Sequence, residues 1–428
     1  MEISFVHCSD LHLGYNQFNQ EERFHDFGQA FANIVDYAID HQVNYLLLAG
    51  DVFNKRMINA KTLSQAIAQL TRLKIAGIEV IAIEGNHDKV PYGEDDSWMS
   101  FLNDQGYFYL LGSCYDEQGK LILKEWSPES PGNILVKDGI RFIGLGYLGS
   151  MTEKRIEELA EILDASPDFT VLLLHSAINR LMHLGGISLD KVTPLKNRVN
   201  YLAMGHVHEF YQIDDWIFNP GAPENWDLGE ADKVKGFFHV RIKDQKMEVE
   251  HISGLQRPVI NLRLDLTGLT SPEQVYEKLV AELGERYGEY EQLPMIRVVI
   301  YGQLPFSPLA ISGAELEEII KAKYPCLLVE FLNQTVLAGT SYGTHEGSSR
   351  FERETLEKQV LHQLILERAA VPPAAVDQVV QTARQFHDLV LGAESLESEA
   401  LIGMATKLAQ HIKKLRDKEE GEIASADS

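Results

Sequence analysis

Five apolar runs in this chain each end on a short polar motif. ISFVHCS leads to Asp10 and His12, YLLLA to Gly50-Asp51, VIAIE to Gly85-Asn86-His87-Asp88, TVLLL to His175, and YLAM to Gly205-His206-Val207-His208. Apolar runs of this length read as buried strands. The pattern predicts strands at residues 2–8, 44–49, 78–83, 140–145, 169–174 and 200–204. Between them, Phe24, Phe27, Phe31, Ile34, Val35 and Ala38 follow helical spacing, as do Leu63, Ile67, Leu70 and Leu73, with Gly77 placed as a C-cap. Short strands follow from 210 to 252, ending in GFFHVRIKD and KMEVEHI. Alternating strands and helices predict an α/β layered domain over residues 1–254. In such sheets chemistry gathers at the carboxyl ends of the strands, where all five motifs fall.

A boundary is expected near Gly254–Pro258. Beyond it VINLRLDL, a helix over 272–285, MIRVVIYG, GAELEEIIKAKY and CLLVEFL read as strand, helix, strand, helix, strand. This βαβαβ order predicts a small α+β domain over 255–339. Residues 340–350 are rich in Gly and Ser and read as a linker. Residues 351–418 read as helical, with one apolar stripe from Val376 to Leu389 and another from Leu401 to Leu415; residues 419–428 read as a disordered tail. The stripes allow two readings, a helical hairpin or a groove for a partner helix.

Composition narrows the function. The chain has 428 residues, 63 acidic against 39 basic, and a net charge of −24. Such a chain repels phosphate polymers at long range, which disfavours tight nucleic-acid binding without local basic strips or a cationic partner. Cys8, Cys114 and Cys326 have no zinc-cluster spacing and fit a reducing compartment. A first strand that opens the chain predicts no signal peptide, and no apolar run approaches the ~18 residues of a membrane span. The expected location is the cytoplasm.

Asp-x-His and His-x-His each place two ligands on one side of an extended segment. A carboxylate has two oxygens, so Asp51 can bridge two cations, while Asn86 offers a neutral amide oxygen. Imidazole with carboxylate suits Mn, Fe, Co or Zn better than calcium, and the absence of cysteine argues against structural zinc. A lone strand-end histidine such as His175 is ordinarily structural and takes its meaning from the ordered set. His7 reads as a packed strand residue; His25, His41, His183 and His239 have no motif around them. Asp95-Asp96 reads as a solvated loop, and Trp98 and Phe101 as anchors of the helix that follows.

The set D-x-H, GD, GNHD, lone His and GHxH resembles the calcineurin-like metallophosphoesterase superfamily. The resemblance implies a layered β-sandwich flanked by helices, followed here by the small α+β cap and the helical segment. Carried over residue by residue, it implies one metal held by Asp10, His12, Asp51 and His208, and a second by Asp51, Asn86, His175 and His206. Water or hydroxide between the metals, ~3.5–4 Å apart in such sites, would be the nucleophile. His87 is not needed as a ligand and is assigned as the general acid, with Asp88 orienting its ring.

Further along, SDLHLG with QFNQEERFHDFGQAFANIVDYAI, and LLLAGDVFNKR, are similar to SbcD-type DNA double-strand-break repair nucleases. KVPYGEDDSWMSF is closest to their YhaO-like exonuclease branch. This resemblance implies a nuclease using two divalent metals, manganese foremost, with Mg, Fe, Co or Zn as alternatives. The reaction would be exonucleolytic, with single-strand endonuclease activity a further possibility, in DNA repair. It also implies a homodimer, a cap that positions DNA, and docking of the C-terminal helices on an SMC-like, ABC-type ATPase of the SbcC kind. One departure stands out. Many members carry a phosphate-contacting histidine where this chain has Asn54, so Lys55 and Arg56 are assigned to supply positive charge to the substrate. Arg180, Lys191, Lys196 and Arg198 form a second candidate DNA path. The competing reading is a small-molecule or nucleotide phosphoesterase, favoured by the acidic charge and by Asn54. A third reading is a catalytically silent assembly subunit, which the intact motif set disfavours.

Overall fold

The computed structural model describes residues 2–178 and 186–338, within one compact unit that ends at Ala338. Arg180, His183, the linker, the C-terminal helical segment and the tail lie outside the described residues.

Two six-stranded sheets pack against each other, as expected of a layered α/β sandwich. The first runs Lys246–Ser253, Gly236–Lys243, Glu2–Cys8, Tyr45–Ala49, Glu79–Ile83 and Tyr109–Leu110. The second runs Tyr211–Ile213, Ile217–Asn219, Tyr201–Gly205, Phe169–His175, Ile140–Gly146 and Ile134–Lys137. Glu2–Cys8, Tyr45–Ala49 and Glu79–Ile83 are parallel neighbours, as are Ile140–Gly146, Phe169–His175 and Tyr201–Gly205. All six therefore end on the same edge of their sheets.

Successive side chains point to opposite faces of a strand. Phe5, Leu47, Ile81, Val171 and Leu173 enter the core between the sheets. Val6, Leu46, Leu48, Val80 and Ala82 face the other way, onto helices Glu21–Asp40 and Ala60–Ile75. Leu172, Leu174, Leu202 and Met204 likewise pack toward helix Thr152–Ile162. Strands covered on both faces must be apolar at every position, which is why they read as unbroken runs. Asn59 caps Ala60–Ile75 by accepting from the Thr62 amide, and Arg72 and Lys74 sit in its last turn, where cations favour the helix dipole.

A third sheet holds Val259–Asp265, Met295–Leu304 and Leu328–Leu337, all parallel. Helices Pro272–Arg286 and Gly313–Lys323 connect them, and a separate core of residues including Leu262, Leu279, Val298 and Ile320 lies beneath. Arg257, just before this sheet, grips Asp26 with two bonds of 2.6 and 2.8 Å. Asp26 also receives Arg23 at 2.7 Å. Arg23 is fully buried and donates further to Gln17, Glu224 and the Asn225 carbonyl. A buried cation is tolerable only with such a full set of partners.

His7 is packed, as its place in the first strand implies. Its Nε2 donates to the Met204 carbonyl at 3.0 Å, so Nδ1 accepts the Tyr201 hydroxyl at 2.9 Å and the ring is neutral. Burial lowers its pKa from 6.5 to about 3. The unfolded chain binds a proton there that the folded chain refuses, so stability is intact above about pH 6.5 and declines as pH falls from there toward 3. Urea midpoints measured across that window are expected to fall with acidification. The His7→Gln variant keeps a donor and an acceptor without titrating, and its profile is expected to be shallower; an unchanged slope would remove His7 from the acid response. Among the described residues, no helix is long and apolar enough to cross a membrane.

Candidate metal centre

The five motifs meet where the two sheets' carboxyl edges come together. The Asp10 amide donates to the Gly50 carbonyl (3.0 Å), His12 to Asp51 (3.1 Å) and Leu13 to Val52 (2.9 Å), so the first two strand-end loops run side by side. Asp10, His12, Asp51 and His206 all adopt positive φ, at 55°, 46°, 51° and 94°. Such backbone costs on the order of 1–3 kcal/mol per residue and persists only where the surroundings hold it. Two glycines allow the crowding. A Cβ at Gly85 would stand 2.0 Å from Asp51 Oδ1, and one at Gly50 would stand 2.3 Å from His175 Nδ1.

Ligand-type atoms gather in three overlapping groups, each within 4.8 Å: Asp10, His12 and His208; His12, Asp51 and His87; Asp51, His175 and His206. Asn86 joins the third, its Oδ1 lying 3.3 Å from His175 Nε2. All eight residues expected to carry the chemistry are thus neighbours, although they come from five separate stretches.

Several contacts are poorly satisfied by protein alone. His12 Nδ1 is buried without a hydrogen-bond partner. His12 Nε2 faces His208 Nε2 at 3.1 Å, and His208 Nδ1 is 3.0 Å from the Glu230 carboxylate. With Glu230 taking the Nδ1 proton, the His208 lone pair points at His12. Burial, then the neighbouring His208, drives the His12 pKa well below its ordinary value, which favours the neutral, ligand-competent form of that ring. His175 places Nδ1 on the Ala49 carbonyl (2.8 Å) and Nε2 toward Asp51 Oδ2 (3.2 Å) and Asn86. Burial opposes ionisation of Asp51, but His175 and His12 outweigh it and hold the carboxyl below its usual range. Converging lone pairs, an orphaned imidazole nitrogen and a shared carboxylate fit two divalent cations.

Other sequence expectations fare differently. His87 Nδ1 lies 2.7 Å from the Asn54 carbonyl, so it carries its proton there and Nε2 remains for chemistry. Asp88 does not orient that ring, and the expected role is corrected. Its carboxylate is turned inward and accepts the amides of Gly85 (2.9 Å), Phe53 (2.9 Å) and Val52 (3.2 Å). It ties the second motif to the third, and burial, followed by repulsion from Asp51, pushes it up to about 7. Asn54 is buried, and its side-chain oxygen accepts the Trp226 indole N–H at 3.1 Å. Lys55 and Arg56 are exposed and make no ion pair or hydrogen bond among the described residues. By contrast, Lys191 pairs with Glu157, Lys196 with Asp214, and Arg198 binds the Ala160 and Leu163 carbonyls at the end of helix Thr152–Ile162. Those three already have partners. Asp95 and Asp96 are exposed as expected, and Trp98 packs on the helix-side core while Phe101, 39% exposed, sets its ring edge-on to Trp98.

Three residues were missed. Tyr147 follows strand Ile140–Gly146, and its ring lies 5.6 Å from that of His206 and 6.1 Å from that of His175. The strand-end rule that located the motifs also covers it. Glu230 holds His208 and is itself held by the buried Lys235 at 2.8 Å; burial opposes its ionisation, yet these partners lower it to about 2. Trp226 stands 5.5 Å from His208 and 6.0 Å from His12. The last two sit on a loop with no periodicity to betray them.

A paired-sheet fold with candidate ligands for two cations at its carboxyl edge is the arrangement of a metal-dependent hydrolase. Residues 3–210 match the family described as calcineurin-like phosphoesterase. The DNA double-strand break repair protein Mre11 of Archaeoglobus fulgidus is 27% identical over 342 residues, covering 69% of this chain and 75% of that protein. The Mre11 of Sulfurisphaera tokodaii is 25% identical over 327 residues, covering 74% and 78%. That of Methanosarcina mazei is 23% identical, covering 75% of this chain but 48% of the longer relative. Among solved structures, a dimetal phosphatase from Danio rerio aligns over 59% of this chain and 97% of that chain, at 12% identity and a TM-score of 0.37.

Proposed function

We propose that this protein is a manganese-dependent DNA nuclease acting in double-strand-break repair. Similarity to Mre11 proteins along most of the chain carries this reading. The ligand assignment that fits the neighbours is Asp10, His12, Asp51 and His208 for one cation, and Asp51, Asn86, His175 and His206 for the other. When bound, the two cations supply Lewis-acid charge that activates water and neutralises the phosphate oxygens. The chain's own residues do the rest. His87, its Nδ1–H held by the Asn54 carbonyl, would act as the acid in its doubly protonated form, passing the second proton from Nε2 to the leaving oxygen. Glu230 keeps the His208 lone pair aimed inward. Lys55 and Arg56, uncommitted to any described partner, receive the phosphate backbone. With a net charge of −24, these two cations cannot alone retain a DNA polymer. That supports a DNA-holding SMC-like ATPase partner docked on residues 351–418; a homodimer, and residues 255–339 as a cap over the substrate, belong to the same proposal.

The metal-loaded protein is expected to release nucleotides from linear duplex DNA with Mn²⁺, and chelation is expected to stop it. Hydrolysis of nucleotides or cyclic nucleotides with intact DNA left untouched would replace this reading by the small-molecule phosphoesterase.

A further inference from the structure

Beside His87 the surface opens into a recess of about 490 Å³. Its floor is aromatic. Trp226 stacks on Tyr15 with centroids 5.5 Å apart and planes 28° from parallel, and Tyr15 in turn leans on Phe27 of the core helix at 5.3 Å. The Trp226 indole N–H is fixed by Asn54. Its backbone is fixed too: the Trp226 carbonyl accepts from Gln17 at 2.7 Å, and the preceding Asn225 carbonyl accepts from buried Arg23 at 2.9 Å. Lys55 and Arg56 form one rim, and Asn86 and His87 form the wall toward the metal centre.

A half-buried tryptophan held rigidly on three sides at the mouth of a hydrolytic site presents its ring to whatever enters. The occupant must be flat to lie on an indole, must be joined to a phosphate to reach Lys55 and Arg56, and must be next to the oxygen that His87 protonates. We infer that the recess takes the unpaired base of the leaving nucleoside, stacked on Trp226. A paired base is sandwiched in the duplex and cannot occupy it, so the enzyme favours frayed ends or single strands. This inference rests on the DNA-nuclease reading. Stacking on an aromatic platform tolerates every base, because each has a π-face, so preference is for an unpaired state and not for a sequence.

The test is cleavage of oligonucleotides by the Mn²⁺-loaded protein, with the leaving nucleoside normal, mismatched or abasic, and bound metal measured for each variant. In the wild type, removing the base is expected to lower kcat/KM by roughly 10- to 100-fold, the size of one base–aromatic stack, and a terminal mismatch is expected to raise it. Trp226→Ala at unchanged metal content is expected to cut normal and abasic substrates alike, whereas Trp226→Phe, which keeps a ring but loses the N–H, retains the discrimination. Equal cleavage of normal and abasic substrates by the wild type would overturn the base subsite alone. No cleavage of any DNA by the metal-loaded protein would overturn the nuclease reading and this inference together.

Discussion

His87→Ala is expected to lower turnover by about 10²- to 10⁴-fold, the range for losing a general acid, while both cations remain bound. The ring's Nδ1 is committed to the Asn54 carbonyl at 2.7 Å, leaving Nε2 to exchange a proton with the substrate. His87 also lies in the cluster with His12 and Asp51, at ligand distance. Metal analysis alongside kinetics separates the two roles. A variant that loses turnover and keeps its metal is missing an acid; one that loses both is missing a ligand, and the assignment to proton transfer would then fail. A substrate with a good leaving group, which needs little protonation, is expected to recover much of the lost rate.

Asp51→Asn is expected to have a still larger effect. Asp51 is the carboxylate shared between two of the three ligand clusters, with Oδ2 facing His175 at 3.2 Å and Oδ1 accepting the His87 amide at 2.9 Å. The amide preserves shape and removes the charge that would lie between two cations. Charge stabilisation by a metal is worth several kcal/mol, so about 10³-fold or more in rate is expected to vanish, together with at least one bound metal per chain. Gly85→Ala probes the same carboxylate without replacing a ligand. Its new methyl would stand 2.0 Å from Oδ1, and displacing a ligand from outside is expected to weaken metal affinity by about 10- to 100-fold. Full metal content and activity in both variants would remove Asp51 from the centre of the site.

The sandwich was legible because its central strands are covered on both faces, which writes each as an apolar run with a polar residue after it. The site was legible for the same reason, since Asp10, Asp51, Asn86, His175 and His206 are all read off at strand ends. Tyr147 also stands at a strand end and was passed over because it is not a ligand type; the other two that escaped lie where no periodic constraint acts. The loop carrying Trp226 and Glu230 is specified by contacts to Asn54, His208 and Lys235, long-range pairs that leave no local trace. The left-handed backbone at Asp10, His12 and Asp51 is invisible as well, because a glycine would signal it and none stands there. Asp88 misled for a simpler reason. Adjacency in sequence placed it beside His87, whereas the turn sends its carboxylate the opposite way, into the amides of the neighbouring loop.

The Arg23 guanidinium holds the carboxylate that receives Arg257 and also the backbone that leads into Trp226. Arg257, Asp26, Arg23 and Asn225 thus form one unbroken chain of contacts from the third sheet to the residue before Trp226, and none of the four belongs to the proposed cation ligands.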